Sequence, residues 1–273
     1  IIPYSTDFST IKQIVFGSIF LKFIRYQDSQ QQVRTGWLQE DMVGPVEGDI
    51  YGTFQRKECN IPLKKVKLLP PVLPSKILGV GRNYAEHARE LGNNVPTEPV
   101  IFLKPPSSLI ADRDSIILPA ASHQVEFEGE LAIVIGKRMR AVSPGDVRQG
   151  ILGYTIANDV TARDLQKSDA QWTRAKGFDT FCPLGPWVET TVEPFDLIIS
   201  THVNGILRQM SSTKDMIFPI YELVSYISRI MTLEAGDVVL TGTPAGVGEL
   251  QAGDTVKVTV EGIGELINVV ISG

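Results

Sequence analysis

From residue 100 onward the chain is written in short β-prone runs: VIFLK, SIILP, ELAIVIG, GILGYTIAN, WVETTV, LIISTHVNG, DVVLTGTP, TVKVTVEG and ELINVVIS. Runs of this length, rich in Val, Ile and Thr and bounded by Gly, Pro and Asn, are strands rather than helices. One longer stretch, PIYELVSYISRIMTLEAG at 219–236, carries its apolar residues at helical spacing instead. Strands with an occasional helix, without strict alternation of the two, predict an α+β fold with a mixed, strand-rich sheet system and not a doubly wound one. LEAGDVVL and LQAGDTVKV repeat one phrase, an AGD turn leading into alternating valines. They read as two hairpin-like units, too few to make a repeat protein.

Ahead of these runs, FIRYQ, TGWLQ and VGPVEGDIYGTF read as short strands and turns closed by the proline-rich LLPPVLPSK at 68–76. Such a stretch continues neither a helix nor a central strand, which predicts a small N-terminal domain at 1–71 and a main domain at 72–273. The run IVFGSIFLKFI at 14–24 reads as a core strand or as part of an extension over 1–21. Gly17, Ser18 and Lys22 interrupt it, it is too short to span a bilayer, and no small-residue cleavage site follows it.

Charge and cysteine usage narrow the partners. A formal net charge of −5 with no lysine- or arginine-rich stripe argues against nucleic acid, and no segment suggests a membrane partner. Cys59 and Cys182 lie far apart without CxxC spacing, and the chain has 3 histidines. That pattern suggests neither a disulfide framework nor a zinc cluster, and it suits a reducing cytoplasm. GVGRNY lacks the third glycine and the acidic partner of a dinucleotide fingerprint, and LTGTPAGVG lacks the GK[ST] ending of a phosphate loop.

The chemistry begins at VEFEGELAIVIG, 125–136, where three glutamates lead straight into an apolar run. If 125–135 is one strand, Glu126, Glu128 and Glu130 share a face and neighbours stand ~7 Å apart along it. Burial of such a row raises its pKa values or demands a cation, and a hard ion such as Mg²⁺, Mn²⁺ or Ca²⁺ meets that demand. A solvated edge strand whose charges deter aggregation is the alternative. Asp159 closes the apolar run GYTIAN and either caps a helix or joins the glutamates in an oxygen site. Lys176, set among aromatics in RAKGFDTFCPLGPW, is either a surface lysine or a cation for a developing oxyanion. His87 and Glu90 sit three residues apart in RNYAEHARELG, a helix expected over 84–91 and stopped by Gly92. On one helical face the carboxylate orients the imidazole and raises its basicity.

Together EGELAIVIG, ANDVTARDLQ, AKGFDTFCPLGPW and LTGTPAGVG, preceded by GVGRNYAEHARELG and EPVIFLKPPSS, closely resemble the fumarylacetoacetate hydrolase family over about residues 76–273. The resemblance implies that family's catalytic fold and makes Glu128, Glu130 and Asp159 the metal ligands, with Glu126 as a supporting acid. It makes Lys176, Gln166, Thr243 and Arg82 groups that contact the substrate, with Lys176 also catalytic. It places His87 and Glu90 on a lid helix that closes over the site. The substrate it implies is a small 2-oxo acid whose carboxylate and keto oxygens chelate Mg²⁺, with Mn²⁺ or Ca²⁺ as alternatives, in a homodimeric enzyme. Three reactions follow from it. The first is hydrolytic C–C cleavage of acylpyruvates, in which His87 deprotonates a water and pyruvate leaves as its enolate. The others are oxaloacetate-type decarboxylation and isomerisation of 2-hydroxyhepta-2,4-diene-1,7-dioate. A metal-binding protein without turnover is the reading from another class.

Overall fold

The β-prone runs become strands in an α+β structure, a computed structural model that describes residues 21–273. In chain order its principal elements are β1 (Lys22–Gln27), β2 (Val33–Gln39), β3 (Met42–Gly48), β4 (Ile77–Gly81), α1 (Ala85–Glu90), β5 (Val100–Lys104), β6 (Val125–Phe127), β7 (Gly129–Ile135), β8 (Ile151–Asn158), α2 (Arg163–Ser168), α3 (Thr173–Lys176), β9 (Cys182–Glu189), β10 (Ile198–Val203), β11 (Ile206–Ser212), α4 (Ile220–Ile230), β12 (Val238–Leu240), β13 (Thr255–Val260) and β14 (Gly264–Ser272). The largest sheet runs β3–β2–β1–β9–β8–β7–β12–β4–β5. A second sheet orders Ser115–Leu118, β14, β13, β10 and β11.

β7 lies at the centre, and every residue of it is buried. Leu131, Ile133 and Ile135 join the larger core with Leu223, Ile227 and the inward valines 256, 258 and 260 of β13. Ala132 and Val134, pointing the other way, join a smaller core with Phe23, Leu184 and Val188. A strand covered on both faces carries apolar residues on both, which is why residues 131–135 do not alternate. Truncating Ile133 to alanine removes contacts from the middle of this stack, at a cost of about 2–5 kcal/mol.

The N-terminal strands extend the same sheet: β1 pairs with β9 through Lys22↔Glu189 and Phe23↔Val188. Lys22, Phe23 and Ile24 of the run 14–24 enter β1. The rest of that run, and the extension expected over 1–21 apart from Leu21, lie outside the described residues.

Two expectations need correction. α4 buries Ile220, Leu223, Val224 and Ile227 at helical spacing, but it ends at Ile230 and not near 236. Leu233 instead exchanges two backbone hydrogen bonds with Met139, both 2.9 Å, and this pairing draws the following residues out of the helix. The two AGD phrases form the same turn, with Gly236 at φ +90 and Gly253 at φ +97, each closed by the following aspartate accepting from a backbone N–H. Only the second feeds a hairpin, β13 to β14. The first delivers β12 into the main sheet parallel to β4 and antiparallel to β7. Among the described residues no helix is long and apolar enough to cross a membrane.

Candidate active site

The glutamates do not lie along one continuous strand. β6 pairs with Thr161–Ala162 and Gly248–Glu249 in a small separate sheet, whereas β7 pairs with β8 and β12. The ladder changes sheets at Glu128, whose N–H donates to Asn158 Oδ1 at 2.9 Å and whose carbonyl accepts from Asp159 N–H at 2.8 Å. This break sends the three side chains to different partners. Glu126 turns to Arg163 and Gln124, while Glu128 and Glu130 converge with Asp159, which leaves the end of β8.

Carboxylate oxygens of Glu128, Glu130 and Asp159 lie within 4.8 Å of one another, and all three residues are buried. Three buried cations face them. Lys176 Nζ donates to Glu128 Oε2 at 2.7 Å and to Asp159 Oδ2 at 2.6 Å. Lys104 Nζ, at the end of β5, donates to Asp159 Oδ1 at 2.6 Å. Arg163 spans the group, donating to Glu126 Oε2 at 2.7 Å, Glu128 Oε1 at 2.5 Å and Gln166 Oε1 at 2.5 Å. Arg163 thus links Glu126 to Glu128, and Glu126 stands apart from the acidic triplet.

Glu130 differs from its neighbours: among the described residues its only hydrogen-bond donor is the N–H of Gly242, at 2.6 Å. Burial, Asp159 and Glu128 push its carboxyl well above the usual carboxylate range. Glu128 goes the other way, because Lys176 and Arg163 outweigh its burial and hold it well below that range. The same attraction to Asp159 and Glu128 overrides the burial of Lys176 and keeps its ammonium charged. Four carboxylates against three cations leave one negative charge over, at Glu130. A raised carboxyl packed against two further carboxyl groups marks a place where a cation is favoured, and an all-oxygen donor set suits a hard divalent ion. The residues present therefore fit a metal of that class.

A cavity of about 300 Å³ opens on this cluster. Arg82, His87, Glu128, Glu130, Asp159, Gln166, Lys176 and Thr243 all line it, so eight of the nine residues expected to bind metal, contact substrate or act in catalysis share one cavity. Glu90, the ninth, stands behind His87: its Oε2 lies 3.1 Å from Nδ1, and its Oε1 accepts from Gly246 N–H at 3.0 Å. His87 is 4% exposed, and the helix that carries it, α1, is one residue shorter at each end than expected. Arg82 adopts φ +59 at the end of β4, and its guanidinium lies 5.7 Å from the centre of the Trp172 ring. The Thr243 hydroxyl is already engaged, donating to Gly129 O and accepting from Gln209 Nε2.

Lys104, Asn158 and the bridging role of Arg163 escaped the sequence reading. The visible hint was Lys104, a charged residue closing an otherwise apolar strand, FLK, directly before two prolines. Trp172 and Phe102, edge to face at 5.4 Å, form an aromatic wall that sequence periodicity does not reveal.

The fumarylacetoacetate (FAA) hydrolase C-terminal family matches residues 76–271, and an Rv2993c-like N-terminal family matches residues 21–71. A mitochondrial oxaloacetate tautomerase, FAHD2B of Bos taurus, is 44% identical over 77% of this chain and 71% of its own length. The crystal structure of 2-hydroxyhepta-2,4-diene-1,7-dioate isomerase from Mycobacterium marinum superposes with a TM-score of 0.86 at 44% identity, covering 92% of this chain and 98% of that one. Maleylpyruvate hydrolase from Sphingobium sp. SYK-6, solved with manganese(II) and pyruvate, gives a TM-score of 0.76 at 30% identity, covering 92% and 99%. With its family motifs gathered around one cavity and matches of this extent, the chain belongs to the fumarylacetoacetate hydrolase family.

Proposed function

We propose that this protein is a divalent-metal-dependent enzyme that moves a proton on the carbon next to the keto group of a small 2-oxo dicarboxylic acid, interconverting its keto and enol forms. The observation that carries the reading is the His87–Glu90 pair facing the Glu128–Glu130–Asp159 cluster across one cavity. The relatives at 44% identity support proton transfer as the reaction, since their names are those of a tautomerase and an isomerase.

Mg²⁺, or Mn²⁺ or Ca²⁺ in its place, held by Glu128, Glu130 and Asp159, would supply the Lewis acidity that polarises the keto oxygen. Each residue then has a defined task. Glu90 accepts from Nδ1 of His87 and so leaves Nε2 as the basic nitrogen, which takes the proton from carbon towards the enol form and gives it to carbon towards the keto form, while the oxygen gains or loses its own proton to solvent. Lys176, charged and buried, offers fixed positive potential to the oxygen that gains charge. Arg163 holds Gln166 and Glu128 in register, so Gln166 presents its amide to the substrate without swinging. Arg82 and Lys167 at the cavity wall supply positive charge for a distal carboxylate. A dication added to a cluster with net charge −1 leaves +1, which favours an anionic substrate.

Hydrolytic cleavage of acylpyruvates is the second reading. The same His87–Glu90 pair favours it, because a base so placed also activates water. The two are separated by giving the purified protein the enol form of oxaloacetate and, separately, acetylpyruvate, in Mg²⁺ and then in excess EDTA. The proposal expects Mg²⁺-dependent loss of enol absorbance well above the spontaneous rate, with slower cleavage of acetylpyruvate. Faster cleavage of acetylpyruvate would make the hydrolase the main activity, and silence on both substrates would sink the enzymatic reading.

A further inference from the structure

β11 is an edge strand whose residues Ile206, Leu207, Arg208 and Met210 are exposed, yet Gln209 among them is 0% exposed. Its pairing with β10 slips: Thr201 faces Gln209, His202 faces Leu207, and Arg208 is the extra residue. Such a bulge re-aims the side chain next to it. Here it turns Gln209 away from solvent and toward the break between the two glutamates on the other sheet.

Gln209 Oε1 accepts from Gly129 N–H at 3.0 Å, and Nε2 donates to Thr243 Oγ1 at 2.7 Å and to Pro244 O at 2.8 Å. Thr243 Oγ1 in turn donates to Gly129 O at 2.9 Å. Gly129, Gln209 and Thr243 therefore close a ring of three hydrogen bonds. Its direction is fixed, since the Gly129 N–H only donates and the Pro244 carbonyl only accepts, so one orientation of the amide satisfies all of them. Position 129 has no room for a side chain either: a Cβ there would stand 2.2 Å from Thr201 Oγ1. The loop that begins at Thr243 runs on to Gly246 at φ +102, where a Cβ would stand 2.1 Å from the Arg208 carbonyl. From Gly246 the N–H reaches Glu90.

We propose that Gln209 is a positioning residue that ties the Glu128–Gly129–Glu130 break to the 243–246 loop, and thereby holds the ligand carboxylates and the His87–Glu90 pair in one frame. It does so from outside the cavity, which it does not line. The inference rests on the assignment of Glu128, Glu130 and Asp159 as metal ligands and adds to it a residue of the second sheet. An amide that served only the fold would alter stability and leave the ion's surroundings unchanged.

The test is Mn²⁺ binding, by calorimetry and by the electron paramagnetic resonance spectrum of the bound ion, in the full chain and in Gln209→Met, Thr243→Val, their combination and Met210→Ala. Partners of metal ligands typically set affinity by about 10- to 100-fold. Gln209→Met and Thr243→Val are each expected to weaken Mn²⁺ binding within that range and to change the spectrum. Both break the same ring, so the combination should cost little more than the worse single change. Met210→Ala, on the exposed face of the same strand, should bind as the wild type does. Wild-type affinity and spectrum in Gln209→Met and Thr243→Val would overturn the proposal, even with a lowered melting temperature. Should Gln209→Met fail to fold, Thr243→Val decides alone. A wild-type protein that binds no Mn²⁺ would overturn the ligand assignment and this inference with it, whereas tight wild-type binding with unaffected variants overturns this inference alone.

Discussion

The two walls of the cavity are built on different principles. On one side Glu128, Glu130 and Asp159 sit at the ends of the central strands β7 and β8, all buried, with Glu128 and Asp159 locked by Lys104, Lys176 and Arg163 and Glu130 held by the Gly242 N–H. On the other side His87 rides on α1, six residues long with no side-chain hydrogen bond at its N-cap. A helix of that length has little stability of its own. Its base is oriented by Glu90, and Glu90 by one backbone N–H at Gly246. The carboxylate wall is thus overdetermined by core packing and charge, while the base is held by a few contacts near the surface. Damage to the first should appear in binding and stability, and damage to the second in rate.

The contrast is broken most severely at Asp159. Asp159→Ala leaves Lys104 without its carboxylate and Lys176 with one of two, and unpaired buried charges of this kind cost about 3–5 kcal/mol. The expected outcome is a much lower melting temperature together with loss of Mg²⁺ binding by calorimetry. A variant that melts normally would mean that the lysines find solvent. His87→Ala should act in the opposite way. Turnover should fall by about 10²–10⁴-fold, the usual contribution of a positioned acid–base group, with metal affinity and melting temperature unchanged. If metal affinity fell as well, the two walls would not be independent.

Glu90→Gln sharpens the comparison, because it retains size and an acceptor for Gly246 while weakening its hold on the imidazole. A smaller loss in kcat is expected, up to about 100-fold, with little change in metal affinity. The mildest effect concerns pH. Glu130 is an acid whose carboxyl is raised by burial, Asp159 and Glu128, so below its raised pKa it carries a proton that a metal must displace. Metal affinity should therefore rise with pH while Glu130 titrates, by about tenfold per unit for one proton, and level off above it. Proton release measured by calorimetry in buffers of different ionisation enthalpy checks this, and affinity independent of pH would remove Glu130 from the ligand set.

Much of the architecture was legible in the chain because a strand's period and a buried strand's apolarity are local properties. GILGYTIAN and ELAIVIG became β8 and β7 for that reason. The acidic triplet Glu128, Glu130 and Asp159 was singled out through motif resemblance, and the fold brings its three carboxylates together. What stayed hidden depends on contacts distant in sequence. The break at Glu128 needs the Asn158 amide, 30 residues on, and the burial of Lys104 needs Asp159, 55 residues on. Gln209 sits in ILRQMSS, which reads as an ordinary exposed edge strand until the bulge at Arg208 turns one residue inward. The end of α4 was misplaced because Met139, on a separate segment, captures Leu233.

The central claim, that His87 moves a proton on carbon while the carboxylate wall holds the metal, is tested most directly by hydrogen exchange at the methyl group of pyruvate in D₂O. Nuclear magnetic resonance follows the loss of the methyl proton signal, whichever reaction the enzyme completes on its full substrate. The prediction is Mg²⁺-dependent exchange by the wild type, abolished by EDTA and by His87→Ala, with Mg²⁺ binding intact in the variant. Exchange that persists in His87→Ala, or a wild type that binds Mg²⁺ and pyruvate and exchanges nothing, would contradict it.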